Sequence, residues 1–401
     1  MATGGLAGTA DRATPMQALL ASARRECRFL RASPWDLALA TWIPCVLLFI
    51  VAWLFSGGVP RELPVAVVDL DRSTTSRELV RHLQASPGLT VSEQPASLEQ
   101  AFSLARALKV YAVVHIPAGT GRDIQRDGSG TVLSYFNASY QVAGQAAARD
   151  IDSAVQAVSA QLAVAEVALT LGPASVRSAP VSVQNSVLFN PGRSYEQFLL
   201  ALLFPAILHL ALCVAMVGAF GRELRDATIQ AWLRESHDRL VPAVLGKMAP
   251  YLLLFTAYGA ASLVWLAVLR GGGLADGFGL LMLGQALMYL AYAAIALLFV
   301  AATRNMASAL SMAGLYAGTS LAFSAATFPL QGASWFTRLW SALLPFTAYL
   351  KLQAQQLDMG SSLAVSAWPL GLLLLFVVIP GAIGMVLLGR ASRDPAAWGR
   401  R

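Results

Sequence analysis

The chain has 401 residues, of which 56% are hydrophobic and only 13% are charged, and its formal net charge is +7. Soluble domains carry about 25% charged residues, so this composition excludes an ordinary soluble protein. A basic chain would suit nucleic acid only if its charges gathered on one soluble face, and their positions, given below, argue against that partner.

The N-terminal segment, residues 1–35, is predicted to lie in the cytoplasm. Within it, Met16 to Arg31 alternates arginines with apolar side chains, which predicts an amphipathic helix at the membrane interface. A simple basic anchor on the inner side is an equally good interpretation, and the two are compatible. The following apolar run is long for a signal-peptide core and lacks a cleavage site, so we predict a retained span over residues 36–56.

A soluble-looking insert, residues 57–195, follows the first span. Its periodicity predicts strands at 64–69, 89–91, 110–116 and 131–136, and helices at 74–85, 97–109 and 141–171, with Ser73 as an N-cap. Strands that alternate with helices indicate an α/β sheet domain.

Five more apolar runs fill residues 196–389, and each approaches the 20 or so residues that a membrane span needs. We place them at 196–219, 248–269, 278–302, 306–324 and 364–389. The fold class predicted is therefore a polytopic α-helical membrane protein with six transmembrane helices and an α/β extracytoplasmic domain between helices 1 and 2. Arg304 and Asn305 are predicted to form a tight turn between the fourth and fifth spans. The prolines that interrupt the apolar segment 328–356 predict short re-entrant or interfacial pieces there.

The charge distribution supports this topology with both termini in the cytoplasm. The inner parts are then 1–36, 220–247, Arg304 and the tail up to 401, and they hold 15 of the 29 Lys and Arg residues but 8 of the 22 Asp and Glu residues. The whole net positive charge thus lies inside, as the positive-inside rule expects.

The sequence lacks the motifs that mark several kinds of catalytic and metal-binding site. The three cysteines lie outside the insert and form no CxxC or Cys/His cluster, so a zinc site is not expected. Gly246-Lys247 is followed by Met248, so it is not a P-loop. Neither HExxH nor GxSxG occurs, which argues against a membrane hydrolase. We therefore predict no catalytic, metal or cofactor site in this chain.

A few residues are candidates for individual roles. His209 lies within a span and could line a pathway, although a packing histidine is the favoured interpretation. Gly314 and Gly318 form a GxxxG, for which helix packing within the chain is favoured over a dimer seam. Asp69 and Asp71 are spaced like metal ligands, but side-chain capping of a turn explains them better.

Four features together resemble the permease subunit of ABC-2-type exporters. They are the order of one span, a large insert and five spans; the insert opening PVAVVDLDRSTTSRELVRHL; the charged run Gly221–Ile229; and Phe328-Pro329 with LPFTAYL from Leu344. The family's charged run ends in Gly-Thr, whereas this chain has Ala227 before Thr228.

The resemblance implies a bacterial inner-membrane protein that pairs with a second copy or a sister permease and with an ABC ATPase subunit carrying ATP and Mg²⁺. A periplasmic adaptor could dock on the external domain. The N-terminal helix and the segment 220–247 would contact the ATPase, although a solvated charged loop remains an alternative for that segment. The implied coupling residues are Arg222, Glu223, Arg225, Asp226, Thr228, Arg234 and Glu235.

We therefore expect a permease that moves cargo outward by alternating access and performs no covalent chemistry itself. Two other classes stay open: a membrane-anchored receptor or docking protein, and a secondary carrier. Six spans exceed what an anchor needs. A carrier would be favoured by acidic residues within spans or by inverted repeats, and neither is evident.

Overall fold

The computed structural model describes residues 14–56, 61–127, 129–137, 141–171, 195–269, 277–326 and 330–399. They form two compact units, one with the described residues up to Ser56 and from Glu196 onward, the other with those from Arg61 to Leu171. The Phe328-Pro329 motif lies outside the described residues.

Helix α1 spans Pro15–Ala32, and side chains close its first turn. The amide of Gln17 donates to the Thr14 hydroxyl (3.3 Å), and the amide of Thr14 donates to Gln17 Oε1 (2.7 Å). This capping box satisfies amides that a first helical turn leaves without partners. The helix ends where Ser33 precedes Pro34, because a residue before proline disfavours helical angles.

Helices α2 (Pro34–Ala40) and α3 (Trp42–Phe55) are separated by a single residue. Thr41 leaves the helical region (φ −112°, ψ −87°), and its hydroxyl donates to the Leu37 carbonyl (2.6 Å). Together they give a 22-residue apolar stretch, Pro34–Phe55, long enough to cross a membrane. The first predicted span is thus two helices rather than one.

The second unit is an α/β structure. Its strands are β1 (Leu63–Asp69), β2 (Leu89–Glu93), β3 (Ala112–Ile116) and β4 (Leu133–Phe136), and its helices are α4 (Thr74–Ala85), α5 (Leu98–Arg106), α6 (Thr120–Asp127) and α7 (Gln141–Leu171). The strand order is β2-β1-β3-β4. Strand β1 pairs in parallel with β2 and β3, and β4 runs antiparallel to β3.

Strand β1 is buried on both faces, which explains its unbroken apolar sequence. Val65 and Val67 pack with α4 and α7 in one cluster. Ala66 and Val68 pack with α5 in another. Helix α6 was not predicted, because its sequence TGRDIQRD has one apolar residue and so lacks an apolar stripe.

The remaining elements belong to the first unit. They are α8 (Tyr195–Arg225), α9 (Ile229–Glu235), α10 (Leu240–Leu269), α11 (Phe278–Thr303), α12 (Met306–Gly318), α13 (Trp335–Ala342), α14 (Pro345–Gln353), a short π-helix (Ala354–Asp358), α15 (Leu363–Ala391) and a 3₁₀ helix (Pro395–Ala397). Within the described residues, five helical stretches are long and apolar enough to span a membrane: α2–α3, α8, α10, α11 and α15.

The predicted fifth span is shorter than expected. Helix α12 has 13 residues, so it is about 20 Å long, against the roughly 30 Å of a bilayer core. Its start agrees with the prediction: Arg304 has a left-handed backbone (φ 52°), and the Asn305 side chain caps the helix at Ser308 N (2.8 Å).

The predicted coupling segment 220–247 is not a separate loop. Helix α8 continues to Arg225, and α10 already begins at Leu240, so only the short helix α9 and its two turns lie between them. The predicted spans stop at the charged residues, whereas helices α8 and α10 continue past them. The helices can do so because charged side chains near these ends find partners inside the protein.

Helix α11 forms the centre of the first unit and packs against α10, α14 and α15. Close approach depends on small residues. A Cβ on Gly284 would lie 2.1 Å from a Leu352 methyl group on α14, and one on Gly384 would lie 3.1 Å from the α11 backbone at Leu298. These glycines therefore set the spacing of the helices that flank α11.

Candidate functional site

Helix α1 docks on the rest of the first unit through a narrow stripe. Its buried residues, Ala18, Ser22, Glu26 and Leu30, recur every fourth position and so share one face. A Cβ on Gly246 of α10 would lie 2.2 Å from the Leu19 carbonyl oxygen, so the two backbones are nearly in contact.

Ser22 fixes this contact with two hydrogen bonds. Its hydroxyl donates to the Ala243 carbonyl of α10 (2.7 Å) and accepts from Trp232 Nε1 of α9 (2.8 Å). Both Ser22 and Trp232 are almost fully buried. One residue of α1 thereby joins α9 and α10.

Glu26 is the centre of a buried group that we call the ion network: Glu26, Arg222, Glu223, Lys247 and Tyr251. Lys247 Nζ lies 2.6 Å from Glu26 Oε2 and 2.8 Å from Glu223 Oε1. Arg222 pairs with Glu26, and the Tyr251 hydroxyl donates to Glu26 Oε1 (2.8 Å). Two acids and two bases from α1, α8 and α10 thus neutralise one another.

The ion network is sheltered from solvent. The side chains of Glu26 and Lys247 are each 1% exposed, and the Arg222 guanidinium lies 3.6 Å from the centre of the Phe29 ring. Burial by itself would raise the pKa of Glu26, but the charges of Lys247 and Arg222 outweigh it and hold that pKa below its ordinary value of 4.5. Glu26 is therefore ionised at neutral pH.

Arg25, Thr228 and Glu235 extend the ion network towards the surface. Glu223 Oε2 accepts from the Thr228 hydroxyl (2.6 Å) and lies 3.2 Å from Arg25 of α1. Glu235, near the end of α9, lies 3.4 Å from Arg28 and 3.9 Å from Arg25. Helix α9 is consequently tied to α1 by charge as well as by Trp232.

The seven predicted coupling residues separate into three sets. Arg222, Glu223 and Thr228 point into the ion network and hold the fold. Arg225 and Asp226 pair with each other on the surface (2.8 Å), and Arg234 is exposed. Glu235 is half-exposed and pairs with α1.

The turn between α8 and α9 is a Schellman motif. Ala227 has a left-handed backbone (φ 52°). The amide of Thr228 donates to the Glu223 carbonyl (3.0 Å), and that of Ala227 donates to the Leu224 carbonyl (3.3 Å). Glycine usually occupies this position, because only glycine adopts these angles without strain. The left-handed backbone of this turn therefore explains the glycine expected from the resemblance. In this chain Ala227 adopts the same backbone angles.

His209 is placed as a packing residue. It is 1% exposed, and its ring nitrogens lie 2.8 Å from the Pro205 carbonyl and 3.2 Å from the Ala317 carbonyl. The ring also packs on Tyr292 and Phe346, at centroid distances of 4.4 and 4.6 Å. Its contacts join α8 to α11, α12 and α14.

The favoured interpretation of the GxxxG was wrong. Gly314 and Gly318 are exposed, and among the described residues no heavy atom outside the local backbone lies within 4 Å of a Cβ built on either one. The face of α12 that packs inward instead carries Ala309, Ala313 and Ala317. The two glycines therefore do not pack helices within the described part of this chain.

Asp69 and Asp71 close turns in the α/β unit, as predicted. Asp69 accepts from the amides of Asp71 and Arg72 (3.0 and 2.9 Å), and Asp71 accepts from those of Gly119 and Gly121 (both 2.9 Å). Burial opposes ionisation of Asp71, but hydrogen bonds from Ser73 and the two glycine amides hold its pKa below the ordinary value. No group of three metal-ligating side chains occurs among the described residues.

Sequence reasoning missed three members of the ion network: Glu26, Lys247 and Tyr251. A glutamate between arginines reads as a solvent-facing residue. The available signal was the four-residue spacing of Ala18, Ser22, Glu26 and Leu30, which contains only small or apolar residues apart from the glutamate. Lys247, the eighth residue of α10, supplies the positive charge that pairs with Glu26.

Residues 34–386 match the family described as ABC-2 family transporter protein. Because this match covers most of the chain, the chain belongs to the ABC-2 family of transporters, and the resemblance noted from its sequence is confirmed. No curated protein and no solved structure matches it. The chain is thus a multi-pass ABC-type permease, of a family that in general associates with an ABC ATPase and is not itself catalytic.

Proposed function

We propose that this chain is the membrane-spanning subunit of an ATP-driven exporter, and that a separate ATPase chain binds the outer surfaces of α1 and α9. The observation that carries the proposal is the ion network. It binds α1 to α8 and α10, two helices with the length and composition of membrane spans. A force that the ATPase exerts on α1 or α9 would then move both spans.

The strength of this connection follows from burial. Removing one partner from a buried ion pair leaves an uncompensated charge, which costs about 3–5 kcal/mol. Ser22 and Trp232 add buried hydrogen bonds at the same contact. Helices α1, α9 and the adjoining ends of α8 and α10 would therefore tilt as one body when the ATPase closes, as alternating access requires.

The ATPase contact itself needs charged side chains that are exposed to solvent. Arg225, Asp226 and Arg234 lie on the exposed side of the α8–α9 turn and α9. We assign the docking role to them, and a supporting role to Arg222, Glu223 and Thr228. Glu235 would position α9 through Arg28 of α1.

The proposed topology has six crossings, with both termini in the cytoplasm of a bacterial cell and the α/β unit outside. Helix α12 would make the fifth crossing together with the turns that follow it up to Ala326. The excess of arginine in the inner segments supports this orientation. The α/β unit would then be available to cargo or to a periplasmic adaptor.

Co-purification tests the docking surface. The tagged chain is isolated in mild detergent with its co-expressed ATPase, and ATP hydrolysis of the complex is assayed. We expect Arg225→Glu with Arg234→Glu to reduce recovery of the ATPase at least tenfold, because two exposed cations change sign at the interface. Since both side chains face solvent, the variant should elute as a folded particle in size-exclusion chromatography.

The matched control is Arg77→Glu with Arg81→Glu, which makes the same charge change on exposed residues of α4 in the α/β unit. This variant should retain the ATPase. Equal loss in both variants would show an effect of net charge and contradict the assigned surface. Full retention in the Arg225/Arg234 variant would contradict it as well.

A further inference from the structure

A cavity of about 620 Å³ lies among α13, α14, α15 and the segment after α12. Its polar wall includes Arg338, Lys351, Ser341 and Thr347. The described residues that line it include no aspartate or glutamate. The cavity has the size of small-molecule sites, which hold about 300–1,000 Å³.

Its two cations are available to a ligand. Both Arg338 and Lys351 are exposed, and neither side chain forms an ion pair within the described part of the chain. An arginine and a lysine that face one pocket without a carboxylate favour an anion. Phosphate suits this pair, because the guanidinium offers a planar fork and the ammonium a compact charge.

Part of the cavity lining is apolar and belongs to a helix that can span a membrane. Trp368, Leu372 and Phe376 line the cavity and lie four residues apart on α15, so they share one face of that helix. Helix α15 is one of the five stretches that can cross a membrane. The same cavity therefore has an apolar stripe on a helix that can cross the hydrocarbon region as well as two cations.

Helix α13 indicates the depth of the cavity. It contributes Arg338 and Ser341 to the lining, while Trp335, Phe336 and Leu339 are exposed and apolar. A short helix with this division, rich in aromatic residues, suits the boundary between head groups and acyl chains. Trp368, which also lines the cavity, is 67% exposed.

We propose that this cavity binds an anionic phospholipid. The phosphate lies between Arg338 and Lys351, the polar head group contacts Ser341 and Thr347, and one acyl chain follows Trp368, Leu372 and Phe376 into the bilayer. The inference depends on α15 crossing the membrane and not on the ATPase, so it stands or falls separately from the proposed export function.

Native mass spectrometry of the delipidated full-length protein tests the site. Palmitoyl-oleoyl phosphatidylglycerol, the matching phosphatidylcholine and inorganic phosphate are titrated separately. We expect the phosphatidylglycerol to bind at least tenfold more tightly than the other two probes. Arg338→Gln with Lys351→Gln should weaken its binding by about tenfold or more, since both charge-assisted hydrogen bonds to the phosphate are lost.

Two further variants separate the cavity from general charge attraction. Ala342→Trp keeps both cations but fills the cavity, and it should also weaken phosphatidylglycerol binding. Arg106→Gln with Lys109→Gln removes two exposed cations of the α/β unit and should leave that binding unchanged.

Three outcomes would overturn the proposal. Equal binding of phosphatidylcholine would show that the cations do not select the lipid. Binding of inorganic phosphate as tight as that of phosphatidylglycerol would remove the role of the acyl chain. Undiminished phosphatidylglycerol binding by either Ala342→Trp or the Arg338/Lys351 double variant would place the lipid elsewhere.

Discussion

At the scale of single residues, Glu26 is central because it links α1 to both α8 and α10. A carboxylate that is 1% exposed can stay ionised only because Lys247, Arg222 and Tyr251 bind it from three directions. Such a group favours the arrangement of α1, α8 and α10 in which these charges have their partners. The ion network therefore acts on specificity as much as on stability.

A double-mutant cycle should reveal this coupling. Glu26→Gln and Lys247→Met should each lower the free energy of unfolding by about 3–5 kcal/mol, because each leaves one buried charge uncompensated. The double variant restores neutrality and should lose less than the sum of the two. Thermal unfolding in detergent, monitored by size-exclusion chromatography, ranks the stabilities of the wild type and the three variants. Strict additivity of the two single losses in the double variant would mean that the two residues act independently.

The same residue sets a pH dependence. The folded pKa of Glu26 lies below its ordinary value of 4.5, so its ionised form favours the folded state. That contribution is present above pH 4.5 and is lost as the pH falls through the folded pKa. The Glu26→Gln variant of the cycle should therefore lose less stability than the wild type on acidification below pH 4.5.

At the scale of elements, the turn between α8 and α9 decides how α9 is presented. An L-residue with left-handed angles is strained by about 1–2 kcal/mol, and Ala227 is held there by two backbone hydrogen bonds. The turn thus keeps its geometry at some expense of stability. It also places Thr228 where its hydroxyl reaches Glu223.

Ala227→Gly should stabilise the protein, because glycine adopts these angles without a steric penalty. After the greater freedom of glycine in the unfolded chain is subtracted, we expect a net gain of about 0.5–1 kcal/mol. The matched control is Ala231→Gly, at an exposed position inside α9, which should lose about 1 kcal/mol. Thermal midpoints that moved in the same direction for both variants would contradict the left-handed turn.

The sequence predicted those elements whose physics is local. Strand β1 and helix α4 follow from an apolar run and from an amphipathic pattern capped by Ser73, and α4 spans the predicted range Thr74–Ala85. Elements that depend on distant partners were less predictable. Helix α6 has no apolar stripe, and the inward role of Glu26 needs cations that lie about 200 residues away in the chain.

At the scale of the whole molecule, the outer face of α12 is left without a partner in the described structure. Gly314 and Gly318 lie on the outer side of α12, beside Leu315, which is 66% exposed. The inner side of α12 is held by the bond from His209 to Ala317 and by Ala313. A firmly seated helix with an open small-residue face suits close approach of a second helix, so we predict that a second copy of the chain, which the resemblance implies, would contact α12 there.

Disulfide cross-linking in native membranes tests this placement. In a background with Cys27, Cys45 and Cys213 replaced by alanine, Leu315→Cys should form a covalent dimer under mild oxidation, because a disulfide requires Cα atoms about 4.4–6.8 Å apart. Leu253→Cys, on the 73% exposed site of α10, is the control for random collision and should remain monomeric. Equal cross-linking at both positions would reject α12 as the seam, whereas a dimer specific to Leu315→Cys would place two copies of α12 side by side.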